Sequence, residues 1–177
     1  MTELITGLSN IKEIAEGNEM ENDRFQSFIK QQDKEQTDRI VHQINKWVSD
    51  KIDCTQCGNC CRSLMINITV EEAEMLALKK GISLITIKEK YVEESLGGQL
   101  IINTIPCHFL EENRCTIYAD RFTECRDFPH LHKPNFAGRL FSTMMYYSMC
   151  PIIFNVVEEL KIKLGFKIVA NASVQNA

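Results

Sequence analysis

Cys54-Thr55-Gln56-Cys57-Gly58-Asn59-Cys60-Cys61 places four cysteines in eight positions. Cys54, Cys57 and Cys60 form C-x2-C-x2-C, and Cys61 follows directly. A two-residue gap lets a tight turn aim two sulfurs at one ion, and Gly58 supplies the backbone freedom such a turn needs. The same triplet spacing occurs in ferredoxin-type sites. The spacing therefore points to a soft metal and leaves zinc, iron and a 4Fe–4S cluster open. Cys61 adds a constraint. On an extended backbone, neighbouring side chains point to opposite sides. Cys60 and Cys61 are thus expected to serve two neighbouring centres, or two metals of one cluster, drawing also on Cys107, Cys115, Cys125 and Cys150. The alternative is that Cys61 is a buried thiol beside a single site.

The rest of the composition decides how those thiols are read. Apolar residues make up 44% and charged residues 25% of 177 residues, an ordinary balance for a globular chain. The net charge of −4 offers no general attraction to nucleic acid or to an anionic membrane, so neither is expected as a partner. No apolar run approaches the ~20 residues of a membrane span. The N-terminal stretch is neither basic nor continuously apolar, so no secretory signal is expected. A cytoplasmic chain follows, in which thiols stay reduced and eight cysteines serve metal rather than disulfides.

Bound thiolates carry negative charge, and four of them around a divalent ion sum to about −2. Cationic donors nearby would offset it. Of seven arginines, Arg62, Arg114, Arg121, Arg126 and Arg139 fall in the cysteine region. Arg126, inside Cys125-Arg126-Asp127-Phe128-Pro129, is expected to orient the site, and Arg139 reads as ordinary surface charge. His108 points away from Cys107 and reads as a surface or supporting residue. His130 and His132 read as a solvated loop pair, and His42 as an exposed helix position.

These residues need elements to hold them. From Glu21 to about Ile52 apolar positions recur at helical steps, with Ile40, Val41, Ile44, Trp47 and Val48 forming one stripe. The polar stretch from Lys30 to Asp38 breaks it. Trp47 and Val48 are expected to pack on the cysteine domain. Ser63–Thr69 reads as a strand. Thr69 with Glu72 forms a capping box for a helix over 70–80 that stops at Gly81. A second short helix is expected over 86–95, and β structure over 99–105. Cys107–Tyr118 reads as a hairpin that brings Cys107 and Cys115 together. One turn of helix follows near Cys125, then two helices joined at Cys150-Pro151, with Pro151 in the first turn of the second. A short strand and tail close the chain. The expected fold is α+β and mostly helical, a small metal-stabilised cysteine-cluster domain with short strands. Its expected divisions are a helical extension over 1–50, the metal-binding domain over 51–165 and a tail over 166–177.

The cysteine octet, Ile68-Thr69-Val70-Glu71-Glu72-Ala73-Glu74-Met75-Leu76, the stretch from Pro106 to Pro129 and a late Cys150-Pro151 together resemble the CxxCxxCC cysteine-cluster family, also called the YkgJ type. The resemblance covers about Asp53 to Pro151. The family is described as zinc- or iron-chelating. The resemblance implies metal ligation by Cys54, Cys57, Cys60, Cys61, Cys107, Cys115, Cys125 and Cys150. Arg121, Arg126, Phe128 and Pro129 match further positions of the pattern, whereas Phe122 stands where the pattern usually has proline. The flagellin lysine N-methylases carry a similar cluster associated with iron–sulfur-dependent methyl transfer.

The leading expectation is a metal-binding protein whose cysteines hold zinc or iron, with no reaction assignable. The alternative is a 4Fe–4S enzyme or electron-transfer protein. A thiol redox sensor is disfavoured, because no single C-x-x-C stands apart. No glycine-rich nucleotide loop and no H-E-x-x-H accompany the cysteines. Metal ions are the expected partners, with a protein partner possible through the N-terminal helix.

Overall fold

The computed structural model describes residues 2–167. The strand and tail expected after Lys167 lie outside the described residues. Residues 2–52 form α1 (Leu8–Gly17), α2 (Glu19–Ile29) and α3 (Lys34–Ser49). Residues 53–128 form α4 (Cys54–Cys57), α5 (Asn59–Ser63), β1 (Asn67–Ile68), α6 (Val70–Lys80), α7 (Leu84–Tyr91), β2 (Val92–Glu94), β3 (Leu100–Ile102), β4 (Leu110–Glu111), β5 (Arg114–Cys115) and α8 (Thr123–Asp127). Residues 129–167 add α9 (Phe136–Met144) and α10 (Pro151–Lys163). The fold is mostly helical α+β, as the sequence pattern indicates.

The described residues gather into two compact units, 53–128 and a helical unit that joins 2–52 to 129–167. The N-terminal helices share a unit with the C-terminal pair.

In the helical unit, the chain breaks between α2 and α3 in the polar stretch foreseen for it. There Asp33 caps α3, accepting the Gln36 N–H at 2.7 Å. Val41, Ile44 and Val48 are buried, and α3 lays them against α10 and α9. Val48 thus belongs to the helical unit's own core. Asp38 of α3 accepts the backbone N–H groups of Asn135 and Phe136, at 2.6 and 2.8 Å, and so caps α9 from outside. α10 is the central element, apolar on most of its circumference. Ile153, Val156, Val157 and Leu160 are fully enclosed. Its buried polar residues are all partnered. Asn155 exchanges hydrogen bonds with both backbone groups of Ile5, and Glu159 accepts from Thr2.

In the cysteine unit, α6 has the predicted bounds. Thr69 and Glu72 complete the capping box, and Gly81 ends the helix at φ 65°. β1, β3 and β2 form an antiparallel sheet in that order, with Ile68 opposite Leu100 and Val92 opposite Ile102. α6 and α7 pack on one another, and Ile66, Ile68, Leu76, Ile87, Ile102, Phe109 and Phe122 make one core. The second short helix starts earlier than expected because Ser83 caps it through the Thr86 N–H. It also stops earlier, since Val92–Glu94 pairs with β3. A β-branched residue beside a waiting sheet edge outweighs the weak local helical preference.

Candidate metal centre

The cysteine octet is helical, not extended. Asp53 caps α4 by accepting from the Thr55 N–H at 2.8 Å and the Thr55 hydroxyl at 2.7 Å. Those bonds hold its carboxyl below the usual range. Gly58 breaks the two short helices apart at φ 62°. A Cβ there would meet the Asn113 carbonyl oxygen at 2.9 Å and the Asn113 Cα at 3.2 Å. Glycine is required both by the left-handed backbone and by the close approach of the hairpin. Gly58→Ala is expected to cost about 2 kcal/mol, from a strained left-handed residue and a backbone clash. Thermal melting together with metal content reads that loss, and an unchanged melting curve would contradict this account of the turn.

Cys60 and Cys61 both lie in α5, where neighbouring side chains are separated by about 100° rather than 180°. The two thiols hydrogen-bond to each other. The expectation that adjacency forces the pair toward separate centres assumed an extended backbone, and that premise does not hold.

The hairpin forms as predicted, with Leu110 opposite Cys115 and Glu111 opposite Arg114. Glu112 takes φ 53° in its two-residue turn. Arg62 ties this hairpin to the octet, donating to the carbonyls of Cys57 and Glu112 and to Asn113 Oδ1. The Cys107 N–H donates to the Cys61 carbonyl at 2.8 Å. Cys125 comes in on α8. Glu72 fixes the start of that helix, with Oε1 accepting the Thr123 N–H at 2.7 Å while Oε2 takes the Thr69 N–H at 3.0 Å. Glu124 accepts from the Asn67 N–H at 2.5 Å and so fastens α8 to β1.

Burial opposes ionisation of Glu72, but the Thr123 and Thr69 N–H groups outweigh it and hold the carboxyl below its usual 4.5. A carboxyl depressed on folding stabilises the fold above the unfolded value and ceases to do so as pH falls through the folded one. Glu72→Gln is therefore expected to lower stability by about 1 kcal/mol near neutral pH. The difference from wild type should shrink as pH drops below about 4.5. A pH series of thermal melts checks this, and a constant difference across the range would contradict it.

The seven thiols of this unit share one neighbourhood. Negative charge on Cys60 is felt by Cys54, Cys61, Cys107, Cys115 and Cys125, and Cys54 also feels Cys57. Cys60 itself is lowered to about 7. The Cys61 thiol donates to it, and backbone N–H groups and Arg121 add to the effect against its burial. Burial pushes Cys54, Cys107 and Cys115 up, and pushes Cys125 to about 12. Two sulfurs accept a backbone N–H from the residue two positions on, Cys107 from Phe109 and Cys115 from Ile117. Such bonds favour the thiolate form. Among the described residues, no group of three or more Cys, His, Asp or Glu side chains is arranged to hold an ion as it stands.

Arg121 is the cation these sulfurs feel, lowering Cys54, Cys60 and Cys115. Its Nε is buried with no hydrogen-bond partner, and its guanidinium lies 4.0 Å over the Tyr118 ring. Arg126 donates to the Arg121 carbonyl and to Thr123 Oγ1. Sequence reasoning placed Arg121 only on a pattern, because nothing in its neighbours marks it as facing sulfur. Phe122, standing in place of the usual proline, is buried in the core beneath α8.

Cys150 lies in the helical unit, buried at the N-terminus of α10, with its carbonyl accepting from the Phe154 N–H. His108 is exposed and meets Asn103 Oδ1 at 2.6 Å. His132 and His42 are exposed, whereas His130 is half-buried and so departs from a solvated pair. Arg139 is not ordinary surface charge. It donates to the carbonyls of Pro134, His130 and Lys133 and closes the loop before α9.

A mostly helical α+β chain that brings thiols from four segments into one neighbourhood, with a cationic residue beside three of them, has the make-up of a thiolate metal-chelating domain. The chain belongs to the CxxCxxCC family, described as a putative zinc- or iron-chelating domain, which matches residues 53–151. The match thus takes in the whole cysteine unit and runs on through α9 to Cys150 and Pro151. No curated protein and no solved structure gives a significant match to the chain.

Proposed function

We propose that Cys54, Cys57, Cys60, Cys61, Cys107, Cys115 and Cys125 chelate zinc or iron and that the bound metal locks the cysteine unit. The observation that carries this reading is that five thiols, those of Cys54, Cys61, Cys107, Cys115 and Cys125, lie near enough to Cys60 to feel its charge. Backbone N–H groups already donate to the sulfurs of Cys107 and Cys115, and an under-partnered Arg121 stands beside Cys115. The donor set is soft and lacks oxygen ligands, which fits zinc or iron bound as thiolates. Bound metal would supply a fixed centre for segments that have little regular sheet between them. The chain's own residues do the rest. Asp53 and Gly58 shape the octet, Arg62 clamps it to the hairpin, Glu72 and Glu124 seat α8, and Arg121 offsets the thiolate charge.

Cys150 is proposed as an eighth ligand because the family span extends through it. A 4Fe–4S centre is the finer alternative on the C-x2-C-x2-C spacing, and with it an enzyme or electron-transfer role. Among the described residues no helix is long and apolar enough to cross a membrane. A reducing compartment such as the cytoplasm suits eight cysteines without a disulfide.

Anaerobic purification with elemental analysis and an absorption spectrum tests the reading. Zinc without colour supports a structural or chelating centre, and a brown protein absorbing near 400 nm supports the iron–sulfur form. Cys150→Ser should lower the metal content if Cys150 is a ligand. Protein free of both metals after anaerobic preparation would overturn the proposal.

A further inference from the structure

A cleft of about 410 Å³ opens on the cysteine unit between α6 and the segment from Thr116 to Arg126. That volume is within the range of small-molecule sites. Its apolar lining is Met75, Leu76, Ile117 and Phe122. Around these stand Lys79, Lys80, Arg121 and Arg126 against two carboxylates, Glu72 and Asp120. The carboxylates are already engaged. Glu72 accepts two backbone N–H groups, and Asp120 pairs with Lys79. Arg126 is committed to the Arg121 carbonyl and Thr123. Two cations remain over. Among the described residues, neither Lys80 nor Arg121 forms an ion pair. Lys80 rests 5.4 Å from the centroids of the Tyr91 and Phe109 rings. Arg121 keeps its buried Nε unsatisfied.

Apolar lining with surplus positive charge at one side is complementary to a ligand of the opposite make-up. We propose that this cleft binds a small organic carboxylate, its apolar body against Leu76, Ile117 and Phe122 and its carboxylate between Lys80 and Arg121. The ring faces that Lys80 meets leave its ammonium charge unneutralised. No thiol lines the cleft, and Arg121 is the residue it shares with the cysteine neighbourhood.

Benzoate is the probe, with benzyl alcohol as its uncharged counterpart and inorganic phosphate as an anion with no apolar body. All three are titrated into the full chain as purified, followed by amide NMR shifts. Benzoate should produce saturable shifts at Leu76, Ile117 and Phe122, and bind about tenfold more tightly than benzyl alcohol, the worth of one charge-assisted contact. Lys80→Gln should weaken benzoate by about tenfold and leave benzyl alcohol unchanged. Lys90→Gln, an exposed charge on α7, should alter neither. The proposal is overturned if benzoate gives no saturable shift at those amides, if Lys80→Gln binds benzoate like wild type, or if phosphate binds as tightly as benzoate.

Discussion

Cys60→Ser is expected to remove metal and thermal stability together. Cys60 is the sulfur whose charge reaches five other thiols, and the one that Cys61, backbone donors and Arg121 hold closest to the thiolate form at neutral pH. A serine hydroxyl keeps the shape of the side chain but is a poor ligand for a soft ion. Metal binding in small thiolate domains contributes on the order of 10 kcal/mol of folding energy. Losing even a third of that, about 3 kcal/mol, would lower the melting temperature of a chain this size by roughly 10 °C. The matched control is Lys12→Ala, an exposed residue whose one ion pair spans α1 at 3.9 Å and contributes little. Elemental analysis beside a melting curve reads both effects. A Cys60→Ser protein with full metal content would show that the centre is not built around Cys60.

Lys161→Met is expected to be comparably damaging by a different route. The Lys161 side chain is 5% exposed, and its amine meets Glu158 at 2.7 Å, Glu21 at 2.9 Å and Asn22 Oδ1 at 2.7 Å. The Tyr147 hydroxyl donates to Glu158 at 2.6 Å, so α2, α10 and the turn after α9 meet around one ammonium. Removing it leaves two carboxylates close together, each less than a third exposed, with no cation between them. Breaking a buried pair from one side costs about 3 kcal/mol, whereas replacing the whole group with apolar residues can be nearly neutral. The triple variant Lys161→Met, Glu158→Leu, Glu21→Leu should therefore recover much of the loss. Chemical denaturation of the three proteins measures it, and a triple variant weaker than Lys161→Met alone would contradict the explanation.

The sequence announced elements whose signals are local. Thr69, Glu72 and Gly81 mark both ends of α6, and each acts through its immediate neighbours. The Cys107–Cys115 hairpin was legible for the same reason, since its turn lies between its own strands. The Cys60–Cys61 geometry was misread because the backbone there depends on Asp53 and Gly58, which turn a short polar stretch helical. Long-range features left no local trace. Residues 2–52 share a unit with 129–167, and neither stretch names the other. Lys161 reads as the basic last turn of a helix, a common surface pattern, until Glu21 arrives from α2. Arg139 reads as surface charge until three carbonyls of the preceding loop turn toward it. The cysteines were visible as a pattern, while the cation beside several of their thiols, Arg121, stood out only once the chain was folded.

The most direct test of the central claim is a thermal melt of the purified protein before and after a strong chelator, with metal content measured on the same samples. The account predicts zinc or iron at no less than one ion per chain. It also predicts that metal loss lowers the melting temperature by at least about 10 °C, reversed on restoring the metal. A chain that loses its metal completely and melts at an unchanged temperature would contradict the claim that the cysteine cluster holds this fold together.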